Sequence, residues 1–275
     1  EDSVDMSRVG QVERKTQDRI VKLFSDTLDY TYLGNWHERE NNAAIEEEYL
    51  RKYLVRKGYT PDLINRAMDK LVKAAGNQMD KLYYANKAVY SLIRYGAQVK
   101  EHMGENNQTV SFINFDDVYD NDFYIAEEVS IKGEHKKRPD IVIYVNGIAL
   151  GVIELKRSTV SISEGIRQNL DNQSSNFISP FFHTMQLIMA GTDPAGMPSS
   201  PTQPKQKYYL TWKEDDKADD RLSLEVESIT ESLDYFLDKQ IVGMCHKERL
   251  LEIIHDFVVF DRGVKKLCRQ NQYFG

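Results

Sequence analysis

The residues whose types and spacing favour chemistry are Asp140, Glu154 and Lys156, in the order Pro-Asp and then Glu-x-Lys, with Glu154 fourteen positions after Asp140. This is the PD-(D/E)xK pattern. Two carboxylates suit Mg²⁺, which usually takes one or two of them together with phosphate oxygens. Such an ion lowers the pKa of a bound water, and a lysine can orient that water or stabilise the transition state. The pattern predicts phosphodiester hydrolysis, with Asp140 and Glu154 as metal ligands and Lys156 as the catalytic cation. A salt bridge between strand ends is the alternative.

The two carboxylates are expected on neighbouring strands. Apolar runs at 141–145 and 148–153 flank Asn146-Gly147, which is a strong hairpin signal. Both runs are rich in Val and Ile without polar alternation, which is typical of central strands covered on both faces. Residues two apart on a strand share a face, so Glu154 and Lys156 project together.

The length of the turn decides whether Asp140 joins them. A strict two-residue turn pairs Asp140 with Ile153, and Asp140 then points away from Glu154. A three-residue loop at 145–147 pairs Asp140 with Val152 and brings all three charged residues to one face. The sequence therefore predicts a three-residue loop or an equivalent bulge, whereas a regular two-residue hairpin excludes the site.

A fourth candidate residue, and a third acid, is expected from a helix at residues 42–57. Glu46 falls in the middle of its predicted apolar face, with Glu47 at the edge and Glu48 toward solvent. A carboxylate there is costly unless it is neutral, paired or metal-bound, so Glu46 is a candidate outer ligand or water-positioning group. The alternative is a surface position at the helix start, where the dipole favours acids.

Two further groups are candidates for contacting a nucleic acid. Gln168 and Arg167 lie on a predicted helix at 161–176, next to the Glu-x-Lys strand, although an amphipathic helix with a solvated polar face is the alternative. Lys136, Lys137 and Arg138 form the best basic run for a DNA backbone. Plain solvated surface is the alternative reading of that run.

Composition sets broader limits. The chain has 275 residues, of which 41% are hydrophobic and 29% charged, which is ordinary for a folded protein. A formal charge of -7 argues against a dedicated nucleic-acid-binding module, but not against a catalytic domain in a larger machine. The two cysteines fit a reducing compartment, and no signal peptide or long apolar run is present, so a cytoplasmic location is expected.

The order of predicted elements indicates an α/β fold in three ranges. Residues 1–100 are expected to be largely helical, 101–215 to form the core, and 216–275 to add closing helices and a linker. Four prolines within 191–205 predict a long surface loop, followed by a strand at 206–212.

The sequence also resembles the amino-terminal endonuclease domain of the restriction (R) subunit of type I restriction-modification enzymes, HsdR. The resemblance spans nearly the whole chain. It is carried by residues 86–90, 121–123, 138–142, 146–147, 152–156, 165–168, 255–261 and 272–275.

The resemblance implies a PD-(D/E)xK restriction-endonuclease-like core, a mixed central sheet flanked by helices, with an N-terminal helical region and a C-terminal helical extension. It implies Mg²⁺-dependent cleavage of double-stranded DNA at sites remote from the recognition sequence. It further implies helicase-like motor domains downstream that use ATP, and a complex with methyltransferase (M) and specificity (S) subunits. Gln168 matches the glutamine of the family's Gln-x-x-x-Tyr motif, whereas Asn172 replaces the tyrosine.

Two other functions compete with this one. The chain could be a catalytically silent module of the same fold that docks DNA or another subunit, although the complete set of Asp140, Glu154 and Lys156 argues against it. It could also be a different DNA repair nuclease of the same fold. The last residues lead us to expect that the native chain continues toward a motor domain, which disfavours the repair enzyme.

Overall fold

The computed structural model describes residues 2–133, 135–174, 178–202 and 205–275. The helices are α1 (Asp2–Lys22), α2 (Glu47–Arg56), α3 (Pro61–Ala75), α4 (Leu82–Tyr95), α5 (Ile162–Asn172), α6 (Arg221–Glu231), α7 (Phe236–Cys245), α8 (Lys247–Asp256) and α9 (Gln270–Tyr273). The strands are β1 (Thr31–Asn35), β2 (Ala97–Val99), β3 (Gln108–Val110), β4 (Phe123–Glu127), β5 (Ile141–Val145), β6 (Ile148–Leu155), β7 (Leu187–Gly191), β8 (Ser199–Ser200), β9 (Val258–Asp261) and β10 (Val264–Leu267).

A mixed sheet of six strands forms the centre, in the order β1-β4-β5-β6-β7-β8. The β1–β4 and β6–β7 pairs are parallel, and the other pairs are antiparallel. Helices lie on both sides. The chain is therefore mixed α/β with a central sheet flanked by helices, as the sequence predicts.

The hairpin strands are buried on both faces, as their unbroken apolar sequence predicts. Ile141 and Ile143 pack into the cluster that includes residues of α1 to α4, whereas Val142 packs with Ile166 of α5 on the opposite face. Glu154 is on the α5 face and is completely buried. Helix α5 is thus the element that covers the candidate site.

Local signals determine several helices correctly. Helix α3 begins where Thr60 caps it, with the Thr60 hydroxyl accepting a hydrogen bond from the Leu63 amide and Pro61 at the first position. Helix α4 ends before Gly96, whose φ of +79° is readily available to glycine. The predicted helix at 161–176 ends earlier, at Asn172, and its last residues 175 and 176 lie outside the described part of the chain.

The region from 191 to 213 departs from its prediction. It is not a surface loop, because it contributes strand β8, and residues 196–202 are buried. The strand predicted at 206–212 is a 3₁₀ turn at Gln206–Tyr208, followed by one bridge between Leu210 and Ser199. Pro204, one of the four prolines, lies outside the described residues.

The predicted division at residues 100 and 215 stays a prediction. One buried apolar cluster draws on all three ranges, as Ile64, Ile143 and Val242 illustrate. Within the described ranges, no helix has both the length and the apolar character needed to cross a membrane.

Candidate active site

The pairing of β5 with β6 places Asp140 and Glu154 opposite each other. The paired residues are Val145–Ile148, Tyr144–Ala149, Ile143–Gly151, Val142–Val152 and Ile141–Ile153. Leu150 has no partner on β5, so a β-bulge lies at this position. If this pairing is extended by one residue, Asp140 lies opposite Glu154, and the two side chains share one face of the sheet. The predicted three-residue loop is wrong, but the equivalent bulge that the sequence analysis also allowed is confirmed.

The turn itself has two residues, and both adopt positive φ, +52° at Asn146 and +84° at Gly147. These angles are those of a type I′ hairpin turn. The Asn146 amide fixes the turn, because its nitrogen donates to the carbonyl of Phe112 and its oxygen accepts from the Asp122 amide. A Cβ at Gly147 would lie 2.7 Å from the Glu46 carbonyl oxygen, so only glycine fits there.

Backbone hydrogen bonds from two other segments of the chain hold the bulge in place. The amide of Gln186 donates to the carbonyl of Leu150 at 2.8 Å, and the amide of Ala149 donates to the carbonyl of Ala44 at 2.8 Å. The start of β6 thus pairs with residues near Ala44, and β7 joins β6 only from Gly151 onward. Contacts distant in sequence therefore set the register that brings the two carboxylates together.

The two carboxyl groups perturb each other. Asp140 Oδ2 accepts a hydrogen bond from the Leu155 amide at 2.7 Å, and Asp140 stands opposite Glu154 on the same face of the hairpin. Burial raises the pKa of Asp140 to about 6, while the Leu155 amide and then the Lys156 charge act to lower it. Burial, and after it the charge of Asp140, raise the pKa of Glu154 well above its usual range. Like charges in a desolvated pair are costly until a cation compensates them.

Lys156 completes the predicted set. Its side chain is 18% exposed, and its ammonium lies 4.0 Å from Glu13 Oε1 on α1. Asp140, Lys156 and Glu13 line one polar cleft of about 560 Å³. The ammonium therefore shares this cleft with Asp140, whereas Glu154 is fully buried.

Gln168 connects α5 to the carboxylates. Its Nε2 donates to Glu154 Oε2 at 2.8 Å, and Gln168 also lines the cleft. Glu154 Oε1 is buried and has no hydrogen-bond partner among the described residues. Arg167, the adjacent candidate, is exposed and is not among the residues that line the cleft.

The basic run lies at the rim of the same cleft. Lys136, Lys137 and Arg138 all line it. Arg138 is ion-paired with Glu128 at 2.5 Å and lies 3.0 Å from the His37 ring, so part of its charge is already compensated. The structure thus brings this basic run to the cleft that Asp140 and Lys156 line, while contact with DNA stays a prediction.

Known proteins resemble this chain along most of its length. A family model described as "Type I restriction enzyme R protein N terminus" matches residues 10–197, more than half of the chain. The chain belongs to this family.

Individual members of the R protein family show the same relationship. The chain is 26% identical to the "Type I restriction enzyme HindI endonuclease subunit" of Haemophilus influenzae, over 88% of this chain and 23% of that protein. It is 21% identical to the "Putative type I restriction enzyme MjaIXP endonuclease subunit" of Methanocaldococcus jannaschii, over 82% of this chain and 23% of that protein. The chain therefore spans about a quarter of the length of these two relatives.

In this R protein N terminus, Glu46 does not join the other candidates. The helix predicted from residue 42 begins at Glu47, and Glu46 precedes it in an extended conformation. Its carboxylate binds the Arg39 guanidinium through two bonds of 2.8 and 3.0 Å. The Glu46 amide donates to the carbonyl of Gly147, at the turn end of the hairpin, whereas Asp140 and Glu154 lie at the other end. The predicted helix start is wrong, and the structure gives no support to Glu46 as a site residue.

Two acids at the cleft of this family member were missed in the sequence analysis. Glu13 lies on α1, outside the apolar stripe that identified the helix. Glu128 follows β4 with a φ of +54°, and its amide donates to the carbonyl of Asp140. Gln17 of α1 holds the Glu128 carboxylate at 3.0 Å. The signal for Glu128 was the acidic pair 127–128 directly after an apolar strand; no local signal singles out Glu13.

Proposed function

We propose that the chain is a Mg²⁺-dependent endonuclease domain that hydrolyses DNA phosphodiester bonds. The observation that carries this proposal is that Asp140 and Lys156 line one cleft with a basic rim, while the buried Glu154 lies opposite Asp140 in the hairpin. The proposed fold is the PD-(D/E)xK nuclease core, which the mixed sheet and the hairpin position of the motif support. Both relatives described above carry "endonuclease subunit" in their names.

The residues present fit a magnesium ion. Glu154 Oε1 is a buried carboxylate oxygen without a partner in the described part of the chain, and Asp140 stands opposite Glu154 in the hairpin. Within the described ranges no three or more His, Cys, Asp or Glu side chains are grouped so that they could hold a metal ion, so the proposed site rests on two carboxylates. Two carboxylates are sufficient for Mg²⁺, which keeps several waters and binds substrate phosphates directly. When bound, the ion would acidify a water ligand and neutralise charge on the scissile phosphate.

The chain's own residues take distinct roles. Asp140 and Glu154 bind the ion, and the Gln168 amide holds Glu154 in one orientation. Lys156 places a positive charge at the cleft floor, where it orients the attacking water or stabilises the extra negative charge on the phosphate. Glu13 lies within reach of the Lys156 ammonium and fixes its position between substrates.

The cleft rim supplies the electrostatic contact with DNA. Lys136, Lys137 and Arg138 surround the opening, although the whole chain carries a formal charge of -7. A local basic rim on an acidic chain suits a domain whose DNA is held mainly by other parts of a larger assembly. We propose that this assembly is a cytoplasmic type I restriction complex. Its M and S subunits recognise DNA, and its ATP-dependent motor translocates DNA, so cleavage occurs remote from the recognition sequence.

The decisive experiment is plasmid cleavage by the complete complex that contains Lys156→Ala. We expect cleavage to fall by at least about a hundredfold, because the charge that stabilises the transition state is lost, while ATP hydrolysis continues. The matched control is Lys52→Ala, an exposed lysine of α2 at the turn end of the hairpin, which should cleave normally. Cleavage retained in Lys156→Ala contradicts the assignment.

The same experiment tests the catalytically silent docking module. Such a module leaves cleavage unaffected by Lys156→Ala, and crystals soaked in Mn²⁺ would then show no ion between Asp140 and Glu154. An ion there together with loss of cleavage supports the nuclease.

A further inference from the structure

The guanidinium of Arg138, at the rim of the cleft, already has an anionic partner within the chain. Arg138 precedes Asp140 by two residues, and both line the cleft. Its Nε lies 2.5 Å from Glu128 Oε2. Its Nη1 lies 3.0 Å from Nε2 of the His37 ring, which accepts the bond because arginine only donates. Glu128 and His37 line the same cleft, so the contacts of Arg138 are made where a substrate would enter.

The backbone fixes Glu128 beside this cation. The Glu128 amide donates to the carbonyl of Asp140 at 2.9 Å, and the Val129 amide donates to the carbonyl of Pro139 at 3.0 Å. Glu128 has a φ of +54°, which is unfavourable for a glutamate. Such a conformation persists only where the surrounding structure imposes it, and it is found most often at functional sites. The acid is therefore held next to Arg138 and does not meet it as a freely moving surface side chain.

Helix α1 holds the Glu128 carboxylate from its other side. Gln17 Nε2 donates to Glu128 Oε1 at 3.0 Å and to Glu127 Oε2 at 2.7 Å. Gln17 is 4% exposed, and the Glu128 side chain is 14% exposed. One carboxylate oxygen of Glu128 is thus bound by a buried amide, and the other oxygen is directed at Arg138.

The two partners of Arg138 interfere with the way in which a guanidinium binds phosphate. Arginine pairs with phosphate through two nitrogens at once, either Nε with Nη2 or Nη1 with Nη2. Glu128 is at Nε and His37 is at Nη1, so each of these pairs has one nitrogen already in contact. A phosphate that binds through two nitrogens must therefore displace one partner, and the negative charge of Glu128 opposes its approach.

We propose that Glu128 is an internal competitor for DNA phosphate at Arg138. Glu128 occupies the guanidinium while the cleft is empty, and DNA must take Arg138 from it in order to lie over Asp140. The competitor weakens chance encounters with DNA, and it favours a duplex that the rest of the assembly holds at high local concentration beside the cleft. That the incoming anion is DNA rests on the proposed function.

The test is the affinity for a DNA duplex, measured by fluorescence anisotropy on the purified protein without divalent ions. Glu128→Gln keeps the size of the side chain and removes its charge. We expect this variant to bind the duplex about fivefold more tightly, which is the scale of one ion pair. The slope of log K against log salt should steepen by roughly 1, because one more phosphate is neutralised. The matched control is Glu48→Gln, which changes the formal charge equally at an exposed position of α2 outside the cleft and should bind like the wild type.

A double-mutant cycle shows whether the effect passes through Arg138. In an Arg138→Ala background, Glu128→Gln should give no gain in affinity, because the competitor and its target act as a unit. An equal gain with and without Arg138 would indicate general repulsion of DNA and overturn the inference.

Glu128→Asp is an independent variant with unchanged net charge. Aspartate adopts positive φ more readily than glutamate, so the fold should be retained. Its side chain is one methylene shorter, which withdraws the carboxylate from Arg138. We expect an affinity for the duplex between those of the wild type and Glu128→Gln. An affinity at or below that of the wild type in either Glu128 variant overturns the competitor role.

The outcomes distinguish this inference from the proposed function. If Arg138→Ala and the double variant Lys136→Ala, Lys137→Ala lose affinity for the duplex while neither Glu128 variant gains any, DNA binds at the cleft and only the competitor role fails. If all of these variants bind the duplex like the wild type, DNA lies on another surface, and the proposed function and the inference fail together.

Discussion

Glu154 lies opposite Asp140 across the β5–β6 ladder because Leu150 is left unpaired on β6. A regular hairpin with the same two-residue turn would instead pair Asp140 with Ile153, on the face opposite to Glu154, and separate the carboxylates. The side-chain period of a strand is two, so one extra residue exchanges the faces. The chemistry of the cleft therefore depends on a bulge within an otherwise regular apolar strand.

The geometry of the turn next to this bulge predicts that Gly147→Ala strongly destabilises the folded protein. The glycine has a φ of +84°, and an added Cβ would lie 2.7 Å from the Glu46 carbonyl oxygen and 2.8 Å from the Leu50 amide nitrogen. Backbone strain and a clash with two backbone atoms add, so we expect the free energy of unfolding to fall by roughly 3 kcal/mol. Urea denaturation measures it.

Gly263→Ala is the matched control for that substitution. Gly263 has a φ of +83°, and a methyl group added there would meet no heavy atom within 4 Å beyond its chain neighbours. Only the left-handed conformation is penalised there, at about 1 kcal/mol. Equal losses in the two variants would show that the packing against α2 does not constrain the turn.

The carboxyl pair predicts that stability without metal depends on pH. Burial raises the pKa of Asp140 to about 6 and that of Glu154 well above its usual range, whereas unfolded carboxyls titrate near about 4. The folded state then binds protons more tightly, so this stabilisation is fully present below about pH 4 and is lost as the pH rises through about 6. We expect the free energy of unfolding to decrease across that range, and Asp140→Asn to reduce the slope. A slope unchanged in Asp140→Asn contradicts a raised pKa at Asp140.

Added metal should reverse this trend. An ion binds the deprotonated carboxylates, so it competes with the proton that the pair holds at low pH. We expect Mg²⁺ or Mn²⁺ to raise Tm more at about pH 7.5 than at about pH 5.5, since ligands stabilise in proportion to their affinity for the folded state. Glu154→Gln should abolish the shift at both values. A shift that persists in Glu154→Gln would place the ion elsewhere.

Features of the site that depend on residues close together in the sequence could be predicted, whereas features that depend on distant residues could not. The hairpin, the two buried faces and the joint projection of Glu154 and Lys156 follow from local pattern, and the structure agrees. The need for a bulge or a longer turn also followed, because strand side chains alternate between faces and one extra residue is required to bring Asp140 to the face of Glu154. Its position did not, because the Gln186 amide and the Ala44 carbonyl that hold the bulge are distant in sequence.

Glu46 is a candidate that the sequence pattern suggested and the structure does not support. The spacing of Ile45, Tyr49 and Leu50 resembles one face of a helix, yet Ile45 forms a bridge with Ile148 before the helix begins. Tertiary pairing overrode the helical pattern at its first turn. Glu13 was missed for a related reason, since only the folded chain brings α1 next to Lys156.

The bond from Gln168 to Glu154 predicts an effect on metal affinity. Gln168→Ala removes the donor that lies 2.8 Å from Glu154 Oε2 and leaves the Glu154 carboxylate free to rotate. We expect Mn²⁺ to bind roughly ten- to a hundredfold more weakly, as measured by calorimetry. Asp171→Ala, on the exposed face of the same helix, is the control and should bind normally. Equal affinities in the two variants would remove Gln168 from the site.

The basic rim predicts a change in the salt dependence of DNA binding. We expect the double variant Lys136→Ala, Lys137→Ala to weaken binding and to reduce the slope of log K against log salt by roughly 1 for each phosphate that is no longer neutralised. Fluorescence anisotropy with a DNA duplex at several salt concentrations measures the slope. Lys52→Ala should leave it unchanged, and an identical slope in the double variant would place DNA on another surface.

A buried lysine predicts how the C-terminal hairpin β9–β10 is attached. Lys265 is 5% exposed. Its ammonium donates to Asn86 Oδ1 at 2.8 Å, Gln186 Oε1 at 2.6 Å and the Met185 carbonyl at 3.1 Å. Lys265→Met keeps the apolar stem but leaves Asn86 Oδ1 and Gln186 Oε1 without a donor, whereas the Met185 carbonyl still accepts from Asn86 Nδ2. We therefore expect the free energy of unfolding to fall by roughly 3 kcal/mol.

The neighbouring Lys266 provides the control for this hairpin. Its side chain is 56% exposed and pairs with Asp261 on the surface, so Lys266→Met should change the free energy of unfolding by less than about 1 kcal/mol. Gln186 also holds the bulge through its backbone amide, which donates to Leu150. Because the same residue bonds to Lys265 and to the bulge, loss of the ammonium should loosen the segment that fixes the carboxylate register. Hydrogen exchange at the Gln186 amide measures this, and unchanged protection in Lys265→Met would show that the hairpin and the bulge are independent.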